Sequence, residues 1–235
     1  MPHYFYYGID IYYIVLILPA LIISLVAQVK VKSTFSKYSN MTSATRLTGA
    51  DAAKKVLSAH SVYDVNVDRV AGQLTDHFDP RASVIRLSES VHDSTSVAAI
   101  GVAAHEAGHA VQHAENYAPI RIRNKLVPIV NFGASISWFA ILLGVFLSYG
   151  VLVYVGIALF SFSTLFQLIT LPVELNASKR AMETIEAQGL LHDDEEIKGA
   201  KKVLTAAAMT YLAAALMSLA QLLRLLLLFG RRRHD

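Results

Sequence analysis

Apolar and polar residues fall into long separate blocks along this chain. The first apolar run, Ile9 to Val29, has the length a helix needs to cross a bilayer core, about 20 residues. Tyr4, Tyr6, Tyr7, Tyr12 and Tyr13 crowd its start, where an aromatic belt would lie at a membrane surface. Leu126 to Thr170 is almost wholly apolar, too long for one crossing and suited to two, with Ser148-Tyr149-Gly150 as the turn. Val203 to Phe229 is the last run, with Arg224 near enough to its end to snorkel. The pattern predicts four transmembrane helices.

Between the first two blocks the periodicity changes. Ser33 to Thr45 is polar and reads as a connector. Thr48 is the predicted N-cap of a short amphipathic helix that runs through Leu57 to about His60. Val65, Val67 and Val70 suit a strand, Asp79-Pro80 a turn, and Ser83 to Ser88 a second strand. Asp93 or Ser94 can cap a helix of small residues from Thr95 to about Ala114. Farther on, Pro172 opens a new polar helix that ends at Gly189, and His192 to Glu196 forms an acidic loop. The expected organisation is a transmembrane helix over 1–31, a soluble α+β domain over 32–125 and a membrane hairpin over 126–171. A helix with the acidic loop follows over 172–202, and a last transmembrane helix with a basic tail over 203–235. The fold class is an α-helical integral membrane protein carrying a small α+β domain.

Composition sharpens this picture. Apolar residues make up 54% of the chain and the mean hydropathy is +0.43, too high for a soluble globule of ordinary make-up. The net charge of +3 is modest, and the bases sit beside apolar runs. That placement suits a lipid bilayer as partner, and the lack of a basic stripe with interleaved aromatics excludes nucleic acid. Lys30 and Lys32 follow the first run and no basic segment precedes it, which disfavours a cleaved signal peptide and puts that end in the cytoplasm. Arg121, Arg123 and Lys125 lie before the second block, and Lys179 and Arg180 after it, so both its ends fall on the same side. Arg231, Arg232 and Arg233 run against the tendency, because four crossings leave them outside. The expected location is the cell membrane, multi-pass, with the α+β domain cytoplasmic. The chain has no cysteine, which excludes disulfides, thiolate zinc sites and Cys nucleophiles. A bound metal must rest on His and carboxylate.

The small-residue helix carries His105-Glu106-Ala107-Gly108-His109. Residues four apart share a helix face, so both imidazoles can reach one metal ion. Glu106 follows the first His and brings a carboxylate beside the metal's open position, where it can take a proton from water. A catalytic zinc normally has three protein ligands. The metzincin arrangement is excluded, because Gln112 and Glu115 stand where it needs Gly and His. A carboxylate from a later helix remains, and Glu174 is the best placed. The intervening hairpin of two similar helices returns its feet together, about 8–10 Å apart. Glu183 and Glu186 lie two or three turns farther on, and Glu115 is on the motif helix's own tail. The plainer role for Glu174 is to favour its helix's N-terminal dipole. His113 continues the His105/His109 face and either approaches the site or stays at the surface, while His60, His77 and His92 are isolated.

Four stretches carry a more specific signal: LTGADAAKKVLSAHSVYDVNVDRV, LTDHFDPRASVIRLSESV, STSVAAIGVAAHEAGHAVQH and LPVELNASKRA. With them the chain resembles the YugP-type bacterial membrane zinc metallopeptidases from near its start to its end. It is more distantly similar to the HtpX and CAAX-prenyl-protease group. The resemblance implies a zincin-like, gluzincin-type catalytic domain holding one zinc ion. It further implies His105, His109 and Glu174 as ligands and Glu106 as catalytic acid/base. In the distant group an Asp follows the ligand Glu by four residues. Ser178 stands there in this chain, able to hydrogen-bond a ligand but bringing no charge.

The function expected is a membrane zinc endopeptidase that hydrolyses membrane or membrane-proximal polypeptides with a zinc-activated water and Glu106 as general base. The peptide would add as a strand at a sheet edge, placed at Val84 to Leu87. His77, Tyr117, Arg180 and Tyr211 are all eligible to stabilise the oxyanion, and His77, His113 and Ser178 are eligible for the surround of the metal or of the substrate. Two other classes compete. A site-2-type intramembrane protease would put HExxH inside a span and take an Asp ligand from a later apolar helix, yet no Asp lies between Asp93 and Asp193. A metal-stabilised membrane scaffold needs no base at Glu106, and the apolar runs read as lacking the buried ionisable groups of a transport path.

Overall fold

The computed structural model describes residues 10–72 and 75–230, apart from the side chain at position 131. Tyr4, Tyr6 and Tyr7 and the tail Arg231 to Arg233 lie outside those residues. A π-helical turn, Tyr13–Ile17, leads into α1 (Leu18–Ser39), followed by α2 (Gly49–Ala59), β1 (Asn66–Val70), β2 (His77–Asp79) and β3 (Val84–Ser88). Then come α3 (Glu89–His92), α4 (Val97–Ala114), α5 (Ala118–Phe146), α6 (Gly150–Ala187) and α7 (Asp194–Phe229). The chain forms two compact units, one of Met1–Ala27, Ile122–Leu171 and Thr210–Asp235, the other of Gln28–Arg121 and Pro172–Met209.

Among the described residues, three helices are long and apolar enough to cross a membrane: Tyr13–Ser39, Gly150–Ala187 and Asp194–Phe229. A fourth is available if Ala118–Val130 and Phe132–Phe146, bent by 44°, count as one broken span. Pro128 lies just before the bend, and its ring removes a helical hydrogen bond there.

Several boundaries differ from the sequence pattern, and for a common reason. Helices begun in apolar sequence continue through polar sequence where packing supports them. α1 runs to Ser39, so most of the expected connector 33–45 is helix. α6 passes through Pro172 unbroken, rather than restarting there. A proline costs one hydrogen bond, and the buried Val173, Ala177, Ala181 and Ile185 that follow it hold the helix in place. α7 starts at Asp194, so Asp194, Glu195 and Glu196 form its first turn, where acidic groups favour the dipole, instead of a loop.

In the first unit, Ser137 Oγ donates to the Gly156 carbonyl at 3.0 Å, and a Cβ at Gly156 would meet the Ser137 carbonyl oxygen at 2.8 Å. The two antiparallel helices of the hairpin touch there because residue 156 has no side chain. Arg224 does not snorkel. Its guanidinium pairs with Asp10, Nη2 to Oδ2 at 2.5 Å and Nε to Oδ2 at 3.0 Å, and lies over the Tyr13 ring. Both partners are largely buried, so this unit does hold an ionisable pair that the apolar pattern concealed.

The second unit packs α2 against α4 and the sheet over a core of Val56, Leu57, Ile85, Leu87, Ile100 and Val111, with Ile185, Leu190 and Val203 contributed from later in the chain. Half of α4 is Ala or Gly, which lets its neighbours approach from several sides. Its cap is Ser96, whose Oγ accepts from the Ala99 N–H at 3.2 Å, rather than Asp93 or Ser94. The sheet has the order β1-β3-β2, with β1 and β3 parallel and β2 antiparallel to β3. β2 was not foreseen, because His77–Asp79 is too short for alternation to register. Its presence moves Val84–Ser88 to the centre of the sheet. That strand has no free edge for a peptide.

α2 begins with a capping box. Thr48 Oγ1 accepts from the Asp51 N–H, and Asp51 Oδ2 accepts from the Thr48 N–H, both at 3.1 Å. The hydrogen bond from the Thr48 hydroxyl holds the Asp51 carboxyl below its usual range. A folded-state pKa below the unfolded one contributes stability above about pH 4, lost as pH falls through the lowered value. Thr48→Ala should therefore lower unfolding stability by about 1 kcal/mol at neutral pH. In detergent-solubilised protein the difference in Tm from wild type should shrink on acidification.

Candidate metal centre

The geometry of the site starts from a missing side chain. A Cβ on Gly108 would lie 2.8 Å from the Ala177 carbonyl oxygen, so α4 and α6 meet backbone to backbone at that point. Ala177 is one turn along α6 from Glu174, and Gly108 lies between the two histidines of α4. The contact therefore sets Glu174 opposite both imidazoles. His105 Nε2 lies 3.2 Å and His109 Nε2 3.3 Å from Glu174 Oε2, and the rings stand 4.7 Å apart at 81°. His109 and Glu174 are buried and His105 is nearly so.

Among the described residues these three make the group of His and carboxylate side chains able to hold a metal ion, with ligand atoms all within 4.8 Å of one another. The fit to zinc is close. Bonds of about 2.0–2.1 Å in a tetrahedron put neighbouring ligand atoms roughly 3.3 Å apart. Two imidazoles and one carboxylate also leave the fourth position of such a site open.

The outer nitrogens of both rings are engaged. Gln112, fully buried one turn after His109, gives its two amide hydrogens to the Val173 carbonyl and to Asn176 Oδ1, each at 2.9 Å. Its Oε1 is left to accept from His109 Nδ1 at 3.1 Å, which keeps a proton on Nδ1 and turns Nε2 toward Glu174. Asn176 Oδ1 also accepts from Arg180 Nε at 2.8 Å, and Arg180 Nη1 reaches Glu115 Oε2 at 2.6 Å. Ser178 Oγ lies 3.1 Å from His105 Nδ1. Burial by itself would lower the His109 pKa. The hydrogen bond His109 donates to the Glu174 carboxylate, with the charges of Glu106 and Glu174, outweighs it and holds the pKa above the ordinary value.

Glu106 is on α4, and its Oε2 accepts from the Phe78 N–H of β2 at 3.1 Å. The edge strand thus holds the carboxylate beside the three-residue cluster. His77, next to Phe78, is exposed and bonds the Thr75 carbonyl through Nδ1. His113 is exposed too, its ring edge-on to Phe78 at 5.8 Å. Of the groups eligible for an oxyanion, Arg180 is committed to Asn176 and Glu115 and lies over Tyr117. Tyr211 belongs to the other unit.

Sequence reasoning used Gln112 only to exclude the metzincin pattern and passed over Gly108, Asn176 and β2. Gln112 stands three residues after His109, a spacing at which helix side chains meet, and that signal was available. Gln112→Leu should weaken zinc binding about 10–100-fold by freeing the His109 ring, measured by competition with a chelator. Gly108→Ala should cost roughly 1–3 kcal/mol by forcing the helices apart, read as a fall in Tm, and should lower zinc affinity too.

A family described as "Putative neutral zinc metallopeptidase" matches residues 13–230 of this chain. The "Putative membrane protease YugP" of Bacillus subtilis (strain 168) is 48% identical over 223 residues, covering 95% of this chain and 99% of that protein. No solved structure matches.

Proposed function

Because the chain belongs to this family of neutral zinc metallopeptidases, we propose that it is a membrane-embedded endopeptidase with His105, His109 and Glu174 as zinc ligands and Glu106 as general base. The observation that carries the reading is the convergence of the two Nε2 atoms on Glu174 Oε2 with Glu106 alongside. When bound, zinc supplies a Lewis acid with one position open to water and to a substrate carbonyl. The chain's own residues do the rest. Glu106, aligned by the Phe78 N–H, takes the proton of the attacking water and hands it to the leaving amine. Gln112 and Ser178 fix the ligand rings through their Nδ1 atoms. A substrate strand adds at β2, an edge of the sheet that already contacts Glu106, rather than at Val84 to Leu87.

The substrates are membrane or membrane-proximal polypeptides, and the protein is a multi-pass cell-membrane protein with its site on the cytoplasmic side. Helices long and apolar enough to cross a membrane support the first statement. Lys30, Lys32, Arg121, Lys179 and Arg180, beside the apolar runs, support the second. α4 is not among those helices, and the third member of the cluster is a Glu, which favours a site at the membrane surface over a site-2-type one.

Glu106→Gln is expected to retain stoichiometric zinc while cleavage of casein or a model membrane protein falls at least 100-fold. Glu174→Ala is expected to lose zinc. Zinc content and cleavage are measured on the same purified samples. Cleavage by Glu106→Gln at the wild-type rate, or tight zinc in Glu174→Ala, would reject these roles.

A further inference from the structure

Away from the metal centre, in the same unit, a cavity of about 630 Å³ opens between α1 and α7. That volume lies within the range of small-molecule sites, roughly 300–1,000 Å³. Five lysines line it: Lys30 and Lys37 from α1, and Lys198, Lys201 and Lys202 from α7. Among the described residues none of the five has a carboxylate within ion-pair distance, whereas Lys179 pairs with Glu183. Glu196, on the same helix, is used by the Ala44 and His192 N–H groups. Five ammonium groups around one cavity repel one another, and an anion held among them would relieve that repulsion.

The cavity is built into the packing. A Cβ on Gly199 would meet the Tyr38 ring at 2.7 Å, so only glycine lets that buried ring seat against α7 at the cavity wall. Thr34 and Thr205 add hydroxyls, and Met209 and Ala206 give the wall an apolar end. The position along each helix is also informative. Lys30 follows at once on the apolar run of α1, and Lys202 directly precedes that of α7. Both helices are long and apolar enough to cross a membrane, so on each the lysines fall where hydrocarbon gives way to headgroups.

We propose that this cavity binds a phosphate anion presented as the headgroup of an anionic phospholipid, with the lysines on the phosphate and the acyl chains leaving past Met209. The site is separate from the metal centre and does not depend on the peptidase reading.

The test uses the full chain purified in neutral detergent, titrated with fluorescent phosphatidylglycerol and, separately, with phosphatidylcholine. Saturable binding of phosphatidylglycerol is expected, with phosphatidylcholine at least tenfold weaker. Lys201→Gln/Lys202→Gln should weaken phosphatidylglycerol about thirtyfold, taking roughly fivefold per lysine. Lys54→Gln/Lys55→Gln, which removes the same charge from α2, should leave binding within twofold. Lys198→Gln alone, expected to lose about fivefold, keeps the test open if the double variant does not fold. Equal loss in the two double variants, or equal binding of the two lipids, would overturn the proposal. Inorganic phosphate or glycerol phosphate at millimolar concentration is the last arm. If either displaces the lipid and itself raises Tm only in protein with the α7 lysines intact, the anion site stands and the lipid assignment falls.

Discussion

The contact between Gly108 and the Ala177 carbonyl governs the geometry of the candidate metal centre. Two helix backbones can approach this closely only where one residue lacks a side chain, and here that residue lies between the two histidines of the HEAGH stretch. The consequence is positional. Glu174, one turn before Ala177, is carried to within 3.2–3.3 Å of both Nε2 atoms. A buried carboxylate beside two imidazoles is costly unless each group finds a partner, and the three partner one another.

The surrounding hydrogen bonds give the cluster its direction. Both amide hydrogens of Gln112 are spoken for, so its oxygen must face His109, and the ring is held in the tautomer a ligand needs. Asn176 and Arg180 carry the chain onward to Glu115 at the end of α4, tying the same two helices together again. β2 acts from the other side: one N–H of an edge strand aligns Glu106 and leaves that strand where a peptide could pair. Orientation comes from groups fixed by packing, which lowers the entropy that would otherwise be lost on binding.

Much of this could be read from the residue pattern, and what was missed has physical causes. The HEAGH spacing needs only helical periodicity, and Glu174 needed only the idea that a membrane hairpin brings its feet together. The apolar runs announced themselves by length. β2 escaped because three residues leave no period to detect, and with it went the true edge of the sheet, misplaced at Val84 to Leu87. Helix ends escaped because α1, α6 and α7 are prolonged by tertiary packing into polar sequence, through Pro172 in one case. The Asp10–Arg224 pair escaped because its members are far apart in sequence, and a lone charge near the end of an apolar run reads as snorkelling. Gly108 is the sharpest example: its identity is plain in the sequence, but its purpose lies in a backbone on another helix.

Zinc K-edge X-ray absorption on the purified, zinc-loaded protein measures the donor set itself. Two imidazoles and one carboxylate are predicted, at about 2.0–2.1 Å, with one further light oxygen donor. Glu174→Ala should lose the zinc signal, while Glu106→Gln leaves the spectrum unchanged. A spectrum with a single imidazole, or one that changes in Glu106→Gln and persists in Glu174→Ala, would contradict the three-ligand centre.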